Sequence, residues 1–359
     1  MESAPAAKSG EEDDCLRIPL VKKMRRTVRR VGRRLTSRGL ILMYHRVSDK
    51  DVDPWSLNVT PRNFSEHLMV LKRNAFPIRL DRLVNAYLEG KIPNRATVVT
   101  FDDGYANNLY EAKPVLERHD IPATVFVASG YIGHRREFWW DEFDRALLRT
   151  GRLPGRLDLV ISGKDHHWDL GAAVDYGEEE HRRDSDMTDG EHRPGTRISF
   201  YFSVWEQLHP LPEHEREKAM ERILIWANSG TVARQTHRPL DAEEVRRLES
   251  GGLVEIGAHT VHHLSLSSHS PAVQREEIQG GKGELEGVLG HPVTSFSYPF
   301  GQFRKDTAAL VRRAGFSCAC TTEEEPVWNL NDRFQLPRFG VEDWSGEEFG
   351  KRLERWFKS

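Results

Sequence analysis

The chain has 359 residues, 38% of them hydrophobic and 30% charged, enough for one large α/β domain with a sizeable core beneath a solvated surface. A formal net charge of −3 supplies no global electropositive field, which argues against nucleic acid as the main partner. Three cysteines argue against a disulfide framework: Cys15 stands in a polar leader, and Cys318 and Cys320, two apart on one strand, share a face without bridging each other.

In chain order, residues 1–14 are small and acidic and lack the basic-then-apolar order of a secretory signal. No run reaches the roughly 18 apolar residues of a membrane span, so the expected location is cytoplasmic. Val21, Met24, Val28, Val31 and Leu35 then recur at spacings of three and four among lysines and arginines. That pattern predicts a basic amphipathic helix over 21–35, which either packs its stripe on the domain or lies on the inner face of an anionic membrane as a peripheral contact. Residues 1–35 are thus read as leader and helix, and 36–359 as the main domain.

From Leu40 onward short apolar runs alternate with helical periodicity, the mark of repeated βα units. Strands are expected over 40–44, 97–101, 123–128, 253–258, 294–298, 316–321 and 334–340, with helices near 61–74, 81–89, 107–119, 241–251, 271–289, 305–314 and 345–358. About seven such units predict an α/β fold, a closed or nearly closed barrel. Residues 142–240 break the rhythm with charged and histidine-bearing stretches before a helix-like 213–227. They are expected to form an insertion over the barrel, mobile around 172–197, with histidines that are solvated loop residues.

Residues 97–101 form a β-branched run followed by Asp102, Asp103 and Gly104, the glycine permitting a sharp turn. Two carboxylates at the carboxyl end of a parallel strand sit where barrel enzymes place their chemistry, although an Asp-Asp-Gly turn capping the next helix reads the same. The strand over 253–258 leads into His259-Thr260-Val261-His262-His263. Histidines four apart share one face of a helical turn, which Thr260 is placed to cap. Two imidazoles and one carboxylate make a three-ligand zinc-type site with a position open for water, and the second carboxylate remains as a base. This is the equipment of water-driven amide or ester cleavage.

Thr100-Phe101-Asp102-Asp103-Gly104 and His259-Thr260-Val261-His262-His263 resemble, in order, the first two motifs of the polysaccharide deacetylases of NodB-homology type, a carbohydrate esterase family. Ala123-Thr124-Val125-Phe126-Val127 and Tyr298-Pro299-Phe300-Gly301 extend the likeness. It covers about 40–141 and 241–345 and leaves the insertion outside. The resemblance implies an irregular (β/α)7-type barrel like a distorted TIM barrel. It also implies removal of N-acetyl groups from amino sugars of a polysaccharide, oligosaccharide or glycolipid. Asp103, His259 and His263 would be ligands of one divalent ion, zinc by default, with cobalt, nickel or iron acceptable to the same donors. Asp102 would be the base, and the backbone N–H of Tyr105 the oxyanion donor.

Two positions depart from the family pattern. Ser297 stands where an arginine two residues before the third-motif proline is usual, and 336–338 read Leu-Pro-Arg where a Leu-x-His motif is usual. In permuted relatives the strand carrying the acid histidine comes first, and Leu42-Met43-Tyr44-His45 resembles that segment, so His45 is expected as general acid. Arg338, late in the last strand, is expected to replace the missing arginine in positioning Asp102. Tyr298, Pro299, Phe300, Gly301, Trp140 and Asp141 are expected at the substrate, with Trp139 or Trp140 offering a face to a sugar ring. The same site would serve a deformylase or another C–N hydrolase on a lipid-linked or small substrate. The two departures leave a catalytically degenerate carbohydrate-binding barrel as the non-enzymatic alternative.

Overall fold

Runs with apolar or β-branched residues at nearly every position suit strands buried on both faces. Seven of them are parallel strands: β1 Gly39–Tyr44, β2 Ala96–Phe101, β3 Ala123–Val127, β4 Val254–Ala258, β5 Ser295–Ser297, β6 Cys318–Cys320 and β7 Phe339–Gly340. The computed structural model describes residues 38–49, 53–185, 194–328 and 332–359; the predicted basic helix over 21–35 and Cys15 lie outside the described residues.

The strands lie in the order β6-β5-β4-β3-β2-β1-β7, each pairing with its predecessor in the chain until β7 returns beside β1, Phe339 opposite Leu42. Just before β7 the chain touches the other edge. Leu336 bridges to Cys320, its N–H donating to the Ala319 carbonyl at 2.9 Å while Thr321 N–H donates back to Leu336 at 2.8 Å. The last segment therefore spans both edges of a curled sheet, which is the distorted (β/α)7 barrel that the family resemblance implied.

Helices return the chain between strands. They are α1 Pro61–Asn74, α2 Leu80–Leu88, α3 Lys113–His119, α4 Trp139–Leu147, α5 Glu178–Ser185, α6 Arg197–Leu208, α7 Glu213–Trp226, α8 Ala242–Glu249, α9 Pro271–Leu289, α10 Lys305–Arg313 and α11 Gly346–Lys358. Thr60, Thr196, Asp241, Ser270 and Ser345 cap α1, α6, α8, α9 and α11 by accepting a first-turn N–H, each worth about 1 kcal/mol. The helix expected over 107–119 is instead a π turn, Asn108–Ala112, running into α3. Pro114 has no N–H to return to Tyr110, so the ladder is interrupted at that step.

The insertion is better packed than its composition suggests. An antiparallel hairpin, Arg156–Ile161 with Lys164–Asp169, buries Leu157, Leu159 and Ile161. Ile198, Tyr201, Val204 and Leu208 of α6 join Phe143 and Leu147 of α4 and Ile223 of α7 in a second hydrophobic cluster beside the barrel core. Neither the hairpin nor α6 was expected: the hairpin's apolar residues alternate with exposed ones, and α6, whose only charged residues are Arg197 and Glu206, carries apolar side chains on several sides rather than along one stripe. Of the stretch expected to be mobile, 186–193 lies outside the described residues.

Candidate active site

β2 ends in the two carboxylates, and the backbone turns sharply there. Asp103 adopts φ 75 and Gly104 φ +83; a Cβ on Gly104 would meet Val127 Cγ1 at 2.9 Å. Thr260, His263 and Phe300 also hold left-handed φ of 65, 52 and 56. Non-glycine residues rarely adopt this region, and their clustering around one cavity marks backbone held in place by its surroundings. The segment 259–263 is thus not the helical turn expected from the His-x-x-x-His spacing. Thr260 caps nothing; its hydroxyl is buried without a hydrogen bond among the described residues. The irregular turn is held from below: Glu277 of α9 accepts from the N–H of Val261 (3.1 Å) and of His262 (2.8 Å), and Gly281 lets α9 approach, since a Cβ there would lie 2.8 Å from the Thr260 carbonyl.

That turn brings both imidazoles to Asp103. Its Oδ1 lies 3.5 Å from His259 Nε2 and 3.3 Å from His263 Nε2, and the three donor atoms all fall within 4.8 Å of one another. These separations fit a divalent ion, because tetrahedral bonds of about 2.0–2.1 Å set their ends about 3.3–3.4 Å apart. His259 Nδ1–H donates to the Ser297 carbonyl at 2.8 Å, which fixes the tautomer with Nε2 as the free lone pair. Burial lowers both imidazoles, His259 to about 4 and His263 to about 3, so both are neutral near pH 7, as ligation requires.

Asp102 faces a different partner. Arg338 Nη1 donates to its Oδ1 at 2.7 Å and Nη2 to its Oδ2 at 2.6 Å. The guanidinium also donates to Ser297 Oγ (2.8 Å), Thr100 Oγ1 (3.1 Å) and the Thr321 carbonyl (2.9 Å, from Nε). Burial alone would raise the Asp102 carboxyl, but Arg338 outweighs it and holds the group well below the usual carboxylate range. Ser297, where the family pattern has arginine, is a small side chain on which the guanidinium from β7's approach rests.

His45 follows β1 directly and, with Asp102, Asp103, His259 and His263, lines a cavity of about 410 Å³. Its carbonyl is tied down by Asn108 Nδ2 at 2.9 Å. Burial lowers its imidazole, Asp103 and Asp102 pull it up, and Arg338 and His259 push it down.

The expected substrate residues divide. Trp140 and Phe300 line the cavity. Tyr298, Pro299 and Gly301 are not among its walls: Tyr298 is fully buried with its hydroxyl donating to the Phe334 carbonyl at 3.0 Å, Pro299 is buried, and Gly301 turns against Thr322. Asp141 is also withdrawn, its oxygens taken by Arg46 Nη1 and the Tyr105 hydroxyl, each at 2.8 Å. The Tyr105 ring packs away from the cavity, and its backbone N–H meets no protein acceptor among the described residues. Trp139 belongs to the second hydrophobic cluster.

Other walls come from residues that the sequence did not single out: Trp55 after β1, Trp205 on α6 and His209 just beyond it. His209, expected to be a solvated loop residue, is half-buried, with burial lowering its imidazole to about 4. An aromatic pair four apart at the end of an amphipathic helix was the available signal, and it is as common in cores as in sites.

Residues 89–150 and 218–319 match the family model described as polysaccharide deacetylase. Among curated proteins, YxkH of Bacillus subtilis, a candidate polysaccharide deacetylase, is 21% identical over 317 residues, covering 88% of this chain and 75% of that protein. The poly-beta-1,6-N-acetyl-D-glucosamine N-deacetylase of Staphylococcus epidermidis is 34% identical over 108 residues, 26% of this chain and 37% of that one. The fold is shared with the Streptococcus pyogenes deacetylase PplD (TM-score 0.55, 16% identity, 89% of this chain and 99% of that one). It is also shared with IcaB from Ammonifex degensii (TM-score 0.53, 17% identity, 90% of this chain and 98% of that one). The two motif segments, the barrel that carries them and these matches together establish that the chain belongs to the polysaccharide deacetylase family.

Proposed function

We propose that the protein is a metal-dependent N-deacetylase acting on N-acetylated amino sugars of a glycan or glycolipid. The observation that carries this reading is the division between adjacent carboxylates: Asp103 meets two neutral histidines, while Asp102 is turned to Arg338.

A divalent ion held by Asp103, His259 and His263, zinc by default, would polarise the acetamide carbonyl and acidify water. Asp102, kept ionised by Arg338, accepts the proton of the attacking water; a carboxylate has about four lone-pair sites, so it can take that proton while paired. The N–H of Tyr105 donates to the carbonyl oxygen as negative charge develops there. His45 delivers a proton to the departing amine, which the lowered imidazole must first acquire within the catalytic cycle. Trp140 and Phe300 offer apolar faces to the sugar.

Acetate release from N-acetylglucosamine oligosaccharides by the zinc-loaded protein tests the reading. Formate release from N-formyl analogues at a higher rate would replace it with a deformylase. Absence of a stoichiometric divalent ion in protein purified without chelator would favour a degenerate carbohydrate-binding barrel.

A further inference from the structure

The cavity is flanked by rings in unbroken contact. Trp55 lies 4.4 Å from Trp205, and Trp205 stacks on His209 at 4.4 Å and 18°. His209 meets Phe300 edge-on at 4.4 Å, Phe300 meets His263 at 4.6 Å, and His263 meets Trp140 at 4.6 Å. Centroids this close are in van der Waals contact, so nothing threads between them. Two links in this belt, Trp205 and His209, come from the insertion, in the stretch between 150 and 218 that the family match skips.

The wall is fastened rather than hinged. Trp55 Nε1–H donates to the Tyr201 hydroxyl (2.8 Å), which donates to Asp144 Oδ1 (2.6 Å). Trp140 Nε1–H donates to the Tyr105 hydroxyl (2.7 Å), which donates to Asp141 Oδ2 (2.8 Å). Both relays end on α4, one turn apart, and the first runs through α6, so the insertion's wall and the barrel's wall share an anchor. Satisfied buried networks of this kind fix side chains in one arrangement.

A site that works along a polymer needs the chain to leave on both sides of the reacting residue. Here one flank is continuous aromatic surface, and the cavity of about 410 Å³ lies in the range of single small-ligand sites, roughly 300–1,000 Å³. We propose that the insertion converts the site into a blind pocket that takes the terminal N-acetylated residue of a saccharide, not an interior one; this rests on the N-deacetylase reading.

Tryptophan fluorescence titration of the zinc-loaded, full-length Asp102→Asn protein with N-acetylglucosamine oligomers from dimer to hexamer reads the pocket without turnover. The dissociation constant per chain is expected to change less than about threefold across the series, because each chain presents one end. NMR of hexamer treated with the active protein should show acetyl loss confined to one terminal residue. In the Trp205→Ala/His209→Ala protein the hexamer should bind about tenfold tighter than the dimer and lose interior acetyl groups, whereas Trp205→Phe, which keeps an aromatic ring in the wall, should retain a dissociation constant that does not depend on length. Tightening of about tenfold or more with length in the unopened site, interior acetyl loss, or no fluorescence response to any length overturns the inference. Failure of the deacetylase reading looks different: no acetate appears, while the titration still reports the dependence on length.

Discussion

Arg338 grips Asp102 through two parallel hydrogen bonds, at 2.7 and 2.6 Å, between residues 236 positions apart in the chain. Both side chains are essentially buried, so the pair is neither screened by solvent nor free to rearrange. Replacing Arg338 by Met should destabilise the fold by about 3–5 kcal/mol, since a buried carboxylate is left unpaired. With its main counter-charge gone, burial raises the Asp102 carboxyl, so any remaining activity should show its acid limb displaced to higher pH. Chemical denaturation and a kcat/KM profile check both; an unmoved acid limb would separate Arg338 from the base.

Asp102→Asn keeps the shape and removes the proton acceptor. Metal content should stay at the wild-type level while kcat falls about 10²–10⁴-fold. Elemental analysis beside acetate release distinguishes this from loss of the ion.

Asp103→Ala or His263→Ala should instead lose the ion. For the wild-type protein, chelation should lower the melting temperature, because an ion present at about 100 times its Kd stabilises the fold by about 2.7 kcal/mol. Zinc addition should restore the melting temperature of the wild type and not of the variants.

His45→Gln tests the acid specifically. Hydrolysis of acetamides should fall about 10²–10⁴-fold, while an aryl acetate, whose leaving group departs without a proton, should be cleaved at close to the wild-type rate. Equal losses on both substrates would assign His45 to positioning.

His67 gives a pH dependence independent of catalysis. It is buried, its Nε2–H donates to the Trp344 carbonyl at 2.7 Å, and its Nδ1 accepts from the Tyr44 hydroxyl at 3.3 Å. Burial lowers it from 6.5 to about 4, so the folded state holds it neutral and the unfolded chain binds the proton first. Its contribution is therefore complete above about pH 6.5 and is lost as the pH falls towards about 4, at most about 3 kcal/mol. Unfolding measured at pH 7 and pH 5 should show a smaller difference in His67→Gln than in wild type.

The barrel was legible because each strand and helix announces itself locally. Residues 61–74 and 271–289 carry caps and periodicity at their own ends, and the strand predicted over 40–44 needs only its run of apolar side chains. The second cluster was not legible, since Leu157, Tyr201 and Leu208 become a core only when α4 supplies the other face. At the site, the motif residues were visible because β2 and β4 each deliver them within a few positions. The walls were not: Asp141 has the sequence context of a site residue but spends both oxygens inside, and His209 has the context of a loop residue but lines the cavity.

The sequence by itself determined the alternation of strands and helices, the placement of Asp102 and Asp103 at a strand end, and a histidine pair four apart, because these depend on neighbours within one turn or one strand. Only the tertiary structure decided that Asp141 is spent on Arg46 and Tyr105, that Trp55 and His209 reach the cavity, and that α6 closes one flank. Each of these depends on closing the sheet or docking the insertion, which brings together side chains that no local pattern relates.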